Sequence, residues 1–255
     1  MLNISNKAPK DKIIDYIRFK YKNFKRIKLC KTALASFPRS GNTLTRYMLS
    51  NYLNRIDKTN LNEEELLNTY TPSLISKKSI DPKKAVIIKT HHEFNKNYKK
   101  AIFLYRHPID SYFSFVVAEA QGGNCDRYPN LLKIIKKYPI EKFCQSFIEI
   151  NLTWLKIIEI KKIPIIHFEY QEIIKKREQF FKKVIEFLDL KYEDIYLKET
   201  IEYFKNKNVS YKYESQSEAR NSLSKIKEYY VNYSDKFKDI NKAVNFYEMM
   251  IKKLK

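Results

Sequence analysis

Four short apolar runs, none of which alternates cleanly between polar and apolar residues, constrain this chain more than any other feature. They lie at 32–37, 85–88, 101–105 and 163–168. A strand with one face in water alternates, whereas a strand buried on both faces does not. Between and beyond the runs, apolar residues recur at helical spacing. Helices are predicted at about 42–54, at 62–80 with a break near Pro72, from Pro108 to about 120, and at 139–161, 177–189, 192–205 and 235–254. A lead-in helix is predicted over 11–26, where Ile13, Ile17, Tyr21 and Phe24 share a face. Doubly buried strands separated by helices read as a parallel sheet covered on both sides. The expected fold class is therefore α/β: one domain over 1–255 with a central parallel sheet flanked by helices, and with neither an internal repeat nor a domain boundary.

In such sheets ligands bind at the carboxyl ends of the strands. Polar residues stand where the first three runs end: Arg39-Ser40-Gly41-Asn42-Thr43, then Lys89-Thr90-His91-His92, then Arg106-His107-Pro108. The chain has only 3 glycines in 255 residues, and one is Gly41 at the first of these corners. A glycine turn opening a helix aims bare N–H groups at one point with the helix dipole behind them, which makes an anion site. The Walker A pattern is not met, because the first glycine and the lysine after the second are missing. Ser40 and Thr43 add hydroxyls, and Arg39 a forked cation suited to phosphate. Arg106 with Ser114, which shares a helix face with Ser111, can take a second phosphate. Lys89 and His91 are two apart in extended chain and face the same way. His91 is the candidate base for a hydroxyl proton, and Lys89 the candidate for neutralising charge on a transferring group. His92 faces away, and His107, before a proline, is assigned a structural role.

The net charge of +21 comes from 50 Lys and Arg against 29 Asp and Glu. The lysines are spread along the chain, and the wealth of Lys, Ile, Asn, Tyr and Phe is what A+T-rich coding DNA produces. The charge is accordingly read as compositional. No specific nucleic-acid partner is expected, although a positive field would draw in a polyanionic cofactor. The basic flanks of the lead-in helix allow peripheral contact with a membrane surface, packing against the domain being the preferred reading. Cys30, Cys125 and Cys144 are too few and too scattered for a disulfide or zinc framework, and they fit a reducing compartment. The start MLNISNKAPKDK has no apolar segment of the signal-peptide kind, and no run approaches the roughly 20 residues that span a bilayer, so a cytoplasmic location is expected.

The segments SFPRSGNTLTRYML, VIIKTHH and IFLYRHPIDSYFS resemble, in order, three signature segments of the sulfotransferases that use 3′-phosphoadenosine-5′-phosphosulfate (PAPS). The resemblance covers about 32–118 and continues more weakly to about 170. It implies a P-loop-like fold and PAPS as donor, with no metal required. By the same resemblance, Arg39, Ser40, Gly41, Asn42 and Thr43 hold the 5′-phosphosulfate, Lys89 stabilises the transferring group, His91 is the general base, and Arg106 and Ser114 hold the 3′-phosphate. The family often has lysine at the position of Arg39 and threonine at that of Asn42. Its late Arg-Lys-Gly stretch is absent as such, and Arg220, with Asn221 and Ser222, stands in for it, Lys225 being a weaker substitute. The acceptor is a hydroxyl or amine of a small molecule, glycan, lipid or protein tyrosine, with the pocket shaped by 121–130 and 206–224. Two other classes compete. A P-loop kinase would need Lys-Ser or Lys-Thr in the loop and an acid at a strand end for magnesium. A non-enzymatic basic binder of nucleic acid or membrane would explain the charge but not the convergence of Lys89, His91 and Arg106.

Overall fold

The computed structural model describes residues 25–76, 78–121, 133–206, 224, 227, 228 and 238–255. Strand β1 (Thr32–Ser36) lies between β2 (Ile88–Thr90) and β3 (Lys100–Tyr105), and β4 (Ile165–Glu169) pairs with the far side of β3. All pairings are parallel, in the order β2-β1-β3-β4. From β1 the chain passes first to β2 on one side and then back across to β3 on the other. The crossovers diverge at the carboxyl end of β1, which opens a crevice there.

Helices α1 (Asn42–Asp57) and α2 (Glu63–Tyr70) connect β1 to β2, while α3 (Pro108–Gln121) and α4 (Ile140–Glu159) lie between β3 and β4. After β4 come α5 (Tyr170–Lys175), α6 (Arg177–Phe187), α7 (Asp194–Asn206) and α8 (Lys238–Leu254). The sheet separates two cores. Ala33, Ala35, Phe103 and Tyr105 face one, with Phe147 and Trp154 of α4 and Ala243 and Met250 of α8. Leu34, Ile102, Leu104 and Phe168 face the other, with Met48 and Tyr52 of α1 and Phe180 and Phe181 of α6. Burial on both faces is the physical reason β1 and β3 do not alternate, whereas in the edge strand β4 only Phe168 is fully buried. The two alanines of β1 leave room for large rings beside them: Phe103 stacks on Trp154 at 6.1 Å and on Tyr105 at 5.8 Å.

Two elements differ from the sequence-based expectation. The second strand starts at Ile88 and takes in Lys89 and Thr90 rather than ending before them. The helix expected over 62–80 with a break near Pro72 does stop there, at Tyr70, but the described residues after it up to 80 form no second helix. Beyond it the chain runs beside β2, where Pro72 O accepts from Lys89 N (2.8 Å) and Leu74 N donates to Lys89 O (2.9 Å). Proline cannot continue the helix ladder, but its carbonyl can still pair with a strand. Helix α5 was not anticipated; it starts from a capping box between Glu169 and Glu172. Most of the predicted lead-in helix, of the loop 121–130 and of the segment 206–224 lies outside the described residues. Among the described residues, no helix is long and apolar enough to cross a membrane.

Candidate active site

The corner between β1 and α1 has two residues in the left-handed region, Arg39 (φ 67) and Gly41 (φ 101). For a residue with a side chain this costs about 1–2 kcal/mol. At Gly41 the space is closed as well. A Cβ there would lie 3.0 Å from Ile173 Cδ1 and 3.2 Å from Tyr170 Cδ2, both on α5. Gly41→Ala is therefore expected to destabilise the protein by about 2–4 kcal/mol, backbone strain and overpacking together, as read from urea denaturation. An unchanged denaturation midpoint would mean that α5 withdraws freely from the turn.

Helix α1 begins with no side-chain cap and no acidic residue in its first turn. Its first backbone bond runs from Thr45 N to Gly41 O (3.0 Å), so the N–H groups of Asn42, Thr43 and Leu44 have no acceptor within the helix. Beside them the Ser40 hydroxyl is fully buried and has no hydrogen-bond partner among the described residues. The Asn42 side chain turns the other way. Its Nδ2 donates to Leu34 O (3.2 Å) and Ser36 Oγ (3.0 Å), tying the helix start to the end of β1 and leaving the backbone N–H for an anion. Thr43 is half-buried in the first turn.

The third strand end is bonded to this corner. Arg106 Nη1 donates to Arg39 O (3.1 Å), and Arg39 Nε donates to Ser114 Oγ on α3 (3.1 Å). The Arg106 guanidinium lies 4.2 Å from the centre of the Tyr170 ring, a cation–π contact that fixes its plane. Arg106 Nε and the buried Ser111 hydroxyl have no hydrogen-bond partner among the described residues. The Arg39 side chain thus reaches Ser114 at the second expected phosphate position, while its backbone carbonyl anchors Arg106.

The second strand end supplies Lys89 and His91. His91 Nδ1 lies 2.7 Å from Ser36 O. A carbonyl can only accept, so Nδ1 carries the proton and Nε2 is left as the basic nitrogen. Burial, and then the charge of Lys89, push the His91 pKa down to about 3. Burial, then Arg46, then Arg39 push Lys89 down to about 8. Lys89 thus lies within electrostatic range of Arg39, and His91 of Lys89, while Arg106 is tied to the Arg39 backbone carbonyl. Arg46, one turn into α1, was missed by sequence reasoning; its place in RYML looked like an ordinary polar position of an amphipathic helix. His92 is exposed, and its carbonyl accepts from Trp154 Nε1 (3.0 Å), which holds the chain after β2. The His107 ring lies edge-on to Tyr247 at 5.2 Å, as a packing residue. Arg220, Asn221, Ser222 and Lys225 lie outside the described residues.

Residues 30–254 match the sequence model of the family described as "Sulfotransferase domain". The chain belongs to the sulfotransferase domain family. A search of curated proteins found no match. Among solved structures, this sulfotransferase-family chain is similar to retinol dehydratase in a complex with retinol and PAP, at 15% identity and a TM-score of 0.46, over 70% of this chain and 66% of the other. It is also similar to mouse sulfotransferase SULT7A1 complexed with PAP, at 16% identity and a TM-score of 0.42, over 68% and 62% of the two chains. A third is retinol dehydratase in complex with androsterone and inactive cofactor PAP, at 16% identity and a TM-score of 0.44, over 70% and 66%. The sulfotransferase-family chain thus matches just under two thirds of the length of these proteins. The family assignment rests on the match over 30–254.

Proposed function

We propose that the chain transfers a sulfuryl group from PAPS to an acceptor hydroxyl or amine. One observation carries this reading. The start of α1 has no side-chain cap and no acidic residue in its first turn, and Arg39, Lys89 and Arg106 stand at the strand ends around it. Bare N–H groups at a helix start with cations beside them favour a multiply charged anion. The strand ends of this rim carry Lys89 and Arg106, the opposite of what a magnesium-dependent kinase would place there.

The donor supplies the sulfuryl group and a nucleotide leaving group. On this reading the first-turn N–H groups of α1, with Ser40, Thr43 and Arg39, bind the 5′-phosphosulfate. Lys89 stabilises charge that grows as the bond to the leaving nucleotide breaks. Arg106, Ser114 and Arg220 bind the 3′-phosphate. His91 Nε2 takes the acceptor proton. The acceptor is a small molecule, glycan or lipid. A cytoplasmic setting fits the buried free thiols of Cys30 and Cys144.

The test is thermal stabilisation by 3′,5′-adenosine bisphosphate (PAP, the desulfated donor) against ATP and AMP. PAP is expected to stabilise the wild type most, and Arg106→Ala to abolish that preference. Equal shifts for the three nucleotides would overturn the assignment.

A further inference from the structure

Arg46 lies just inside α1, and its guanidinium reaches across to α2. Nε donates to Thr71 O (2.7 Å) and Nη2 to Leu67 O (3.4 Å), at the carboxyl end of that helix. A cation there is favoured by the helix dipole as well as by the two acceptors. The Thr71 hydroxyl is held in turn by Ser50 of α1 at 2.9 Å. The residues that follow Thr71 flank Lys89 on both sides of its peptide, through Pro72 O (2.8 Å) and Leu74 N (2.9 Å). Arg26 secures the same segment by donating to Ser73 O at 2.8 Å.

We infer that Arg46 is a positioning residue for Lys89: it clamps the segment 71–74 against β2 and sets a second positive charge beside the ammonium group. This rests on the donor reading above and extends it to a residue outside the phosphate loop. The charged groups acting on Lys89 are Arg46 from α1 and Arg39 from the turn, while His91 from its own strand end is held neutral. The segment 71–74 itself, Thr-Pro-Ser-Leu, brings none.

The consequence is a pH-dependent affinity. Lys89, held at about 8, regains its proton when an anion binds beside it. Anion affinity is then full below that value and lost as pH rises through it. For one such group the loss between about pH 7 and about pH 9 is about tenfold. Phosphate monoesters are already doubly ionised over that range and contribute no slope of their own.

PAP binding is measured by calorimetry at both pH values on wild type, Arg46→Lys and Arg46→Met. Wild type and Arg46→Lys should each lose about tenfold. Arg46→Met, with one positive neighbour fewer, should lose less than about threefold. A loss in Arg46→Met equal to that of wild type would overturn the inference. Lys89 is also titrated directly by NMR in Arg46→Lys and Arg46→Gln without nucleotide. An upward move of its pKa in Arg46→Gln alone supports the inference, and no move overturns it. Failure of the wild type to bind PAP at all would count against the donor reading instead, and the NMR titration would still decide the role of Arg46.

Discussion

Replacing His91 with alanine is expected to leave PAP binding intact while lowering sulfuryl transfer by about 10²–10⁴-fold, the usual cost of losing a placed base. Two features argue for this split. The ring is joined to Ser36 O at the end of β1 and takes no part in the Arg39–Ser114 and Arg106–Arg39 bonds that shape the anion pocket. Its Nδ1–H is committed to that carbonyl, so Nε2 is unprotonated whenever the ring is neutral. The neutral form is also the one folding prefers. Because the pKa is depressed to about 3, the contribution of His91 to stability is whole above its ordinary value of 6.5 and is lost as pH falls toward 3. A bound donor opposes the Lys89 charge that helps hold the pKa down, so the base grows stronger as the site fills. Transfer is followed with labelled PAPS and binding by calorimetry. Unchanged turnover in His91→Ala would remove the residue from the chemistry, and loss of PAP binding would recast it as a structural prop.

The legible part of this chain was what local chemistry dictates by itself. Runs without alternation implied doubly buried strands, and β1 and β3 bear that out, while the edge strand β4 is only partly buried. Gly41 at a strand-to-helix corner implied a tight turn opening a helix, and the helix starts at the next residue. What escaped depends on partners remote in sequence. Lys89 and Thr90 join β2 because β1 offers them a ladder in register. Residues 71–74 leave the helical pattern because Lys89, more than a dozen residues later, accepts and donates on their strand side. Arg46 read as one more polar position on α1, since nothing near it in sequence says that α2 will end under its guanidinium. Asn42 likewise read as a loop residue facing the anion, whereas its side chain reaches back to Ser36 and so steadies the residue whose carbonyl orients His91.

Lys89→Met is expected to act in opposite directions on stability and on activity. In the free protein the ammonium is largely buried beside Arg46 and Arg39, and its pKa has fallen from 10.5 to about 8. A depression of that size means that holding the proton in the fold costs on the order of 3 kcal/mol near neutral pH. A lysine with a lowered pKa weakens the fold fully below the folded value, and the penalty fades as pH rises toward the unfolded one. Methionine fills similar space without charge, so the variant should resist urea better than wild type at about pH 7, by about 1–3 kcal/mol. The advantage should shrink by about pH 10, where the wild-type lysine has itself lost its proton. Sulfuryl transfer should nonetheless fall by about 10²–10³-fold, since an ammonium aimed at developing charge in a buried site acts mainly on the transition state. The opposition of the two signs separates this role from a structural one, because a residue retained for packing would lose stability and activity together. A Lys89→Met protein less stable than wild type at neutral pH, or one with undiminished transfer, would show that the charge at the end of β2 is not held there for the reaction.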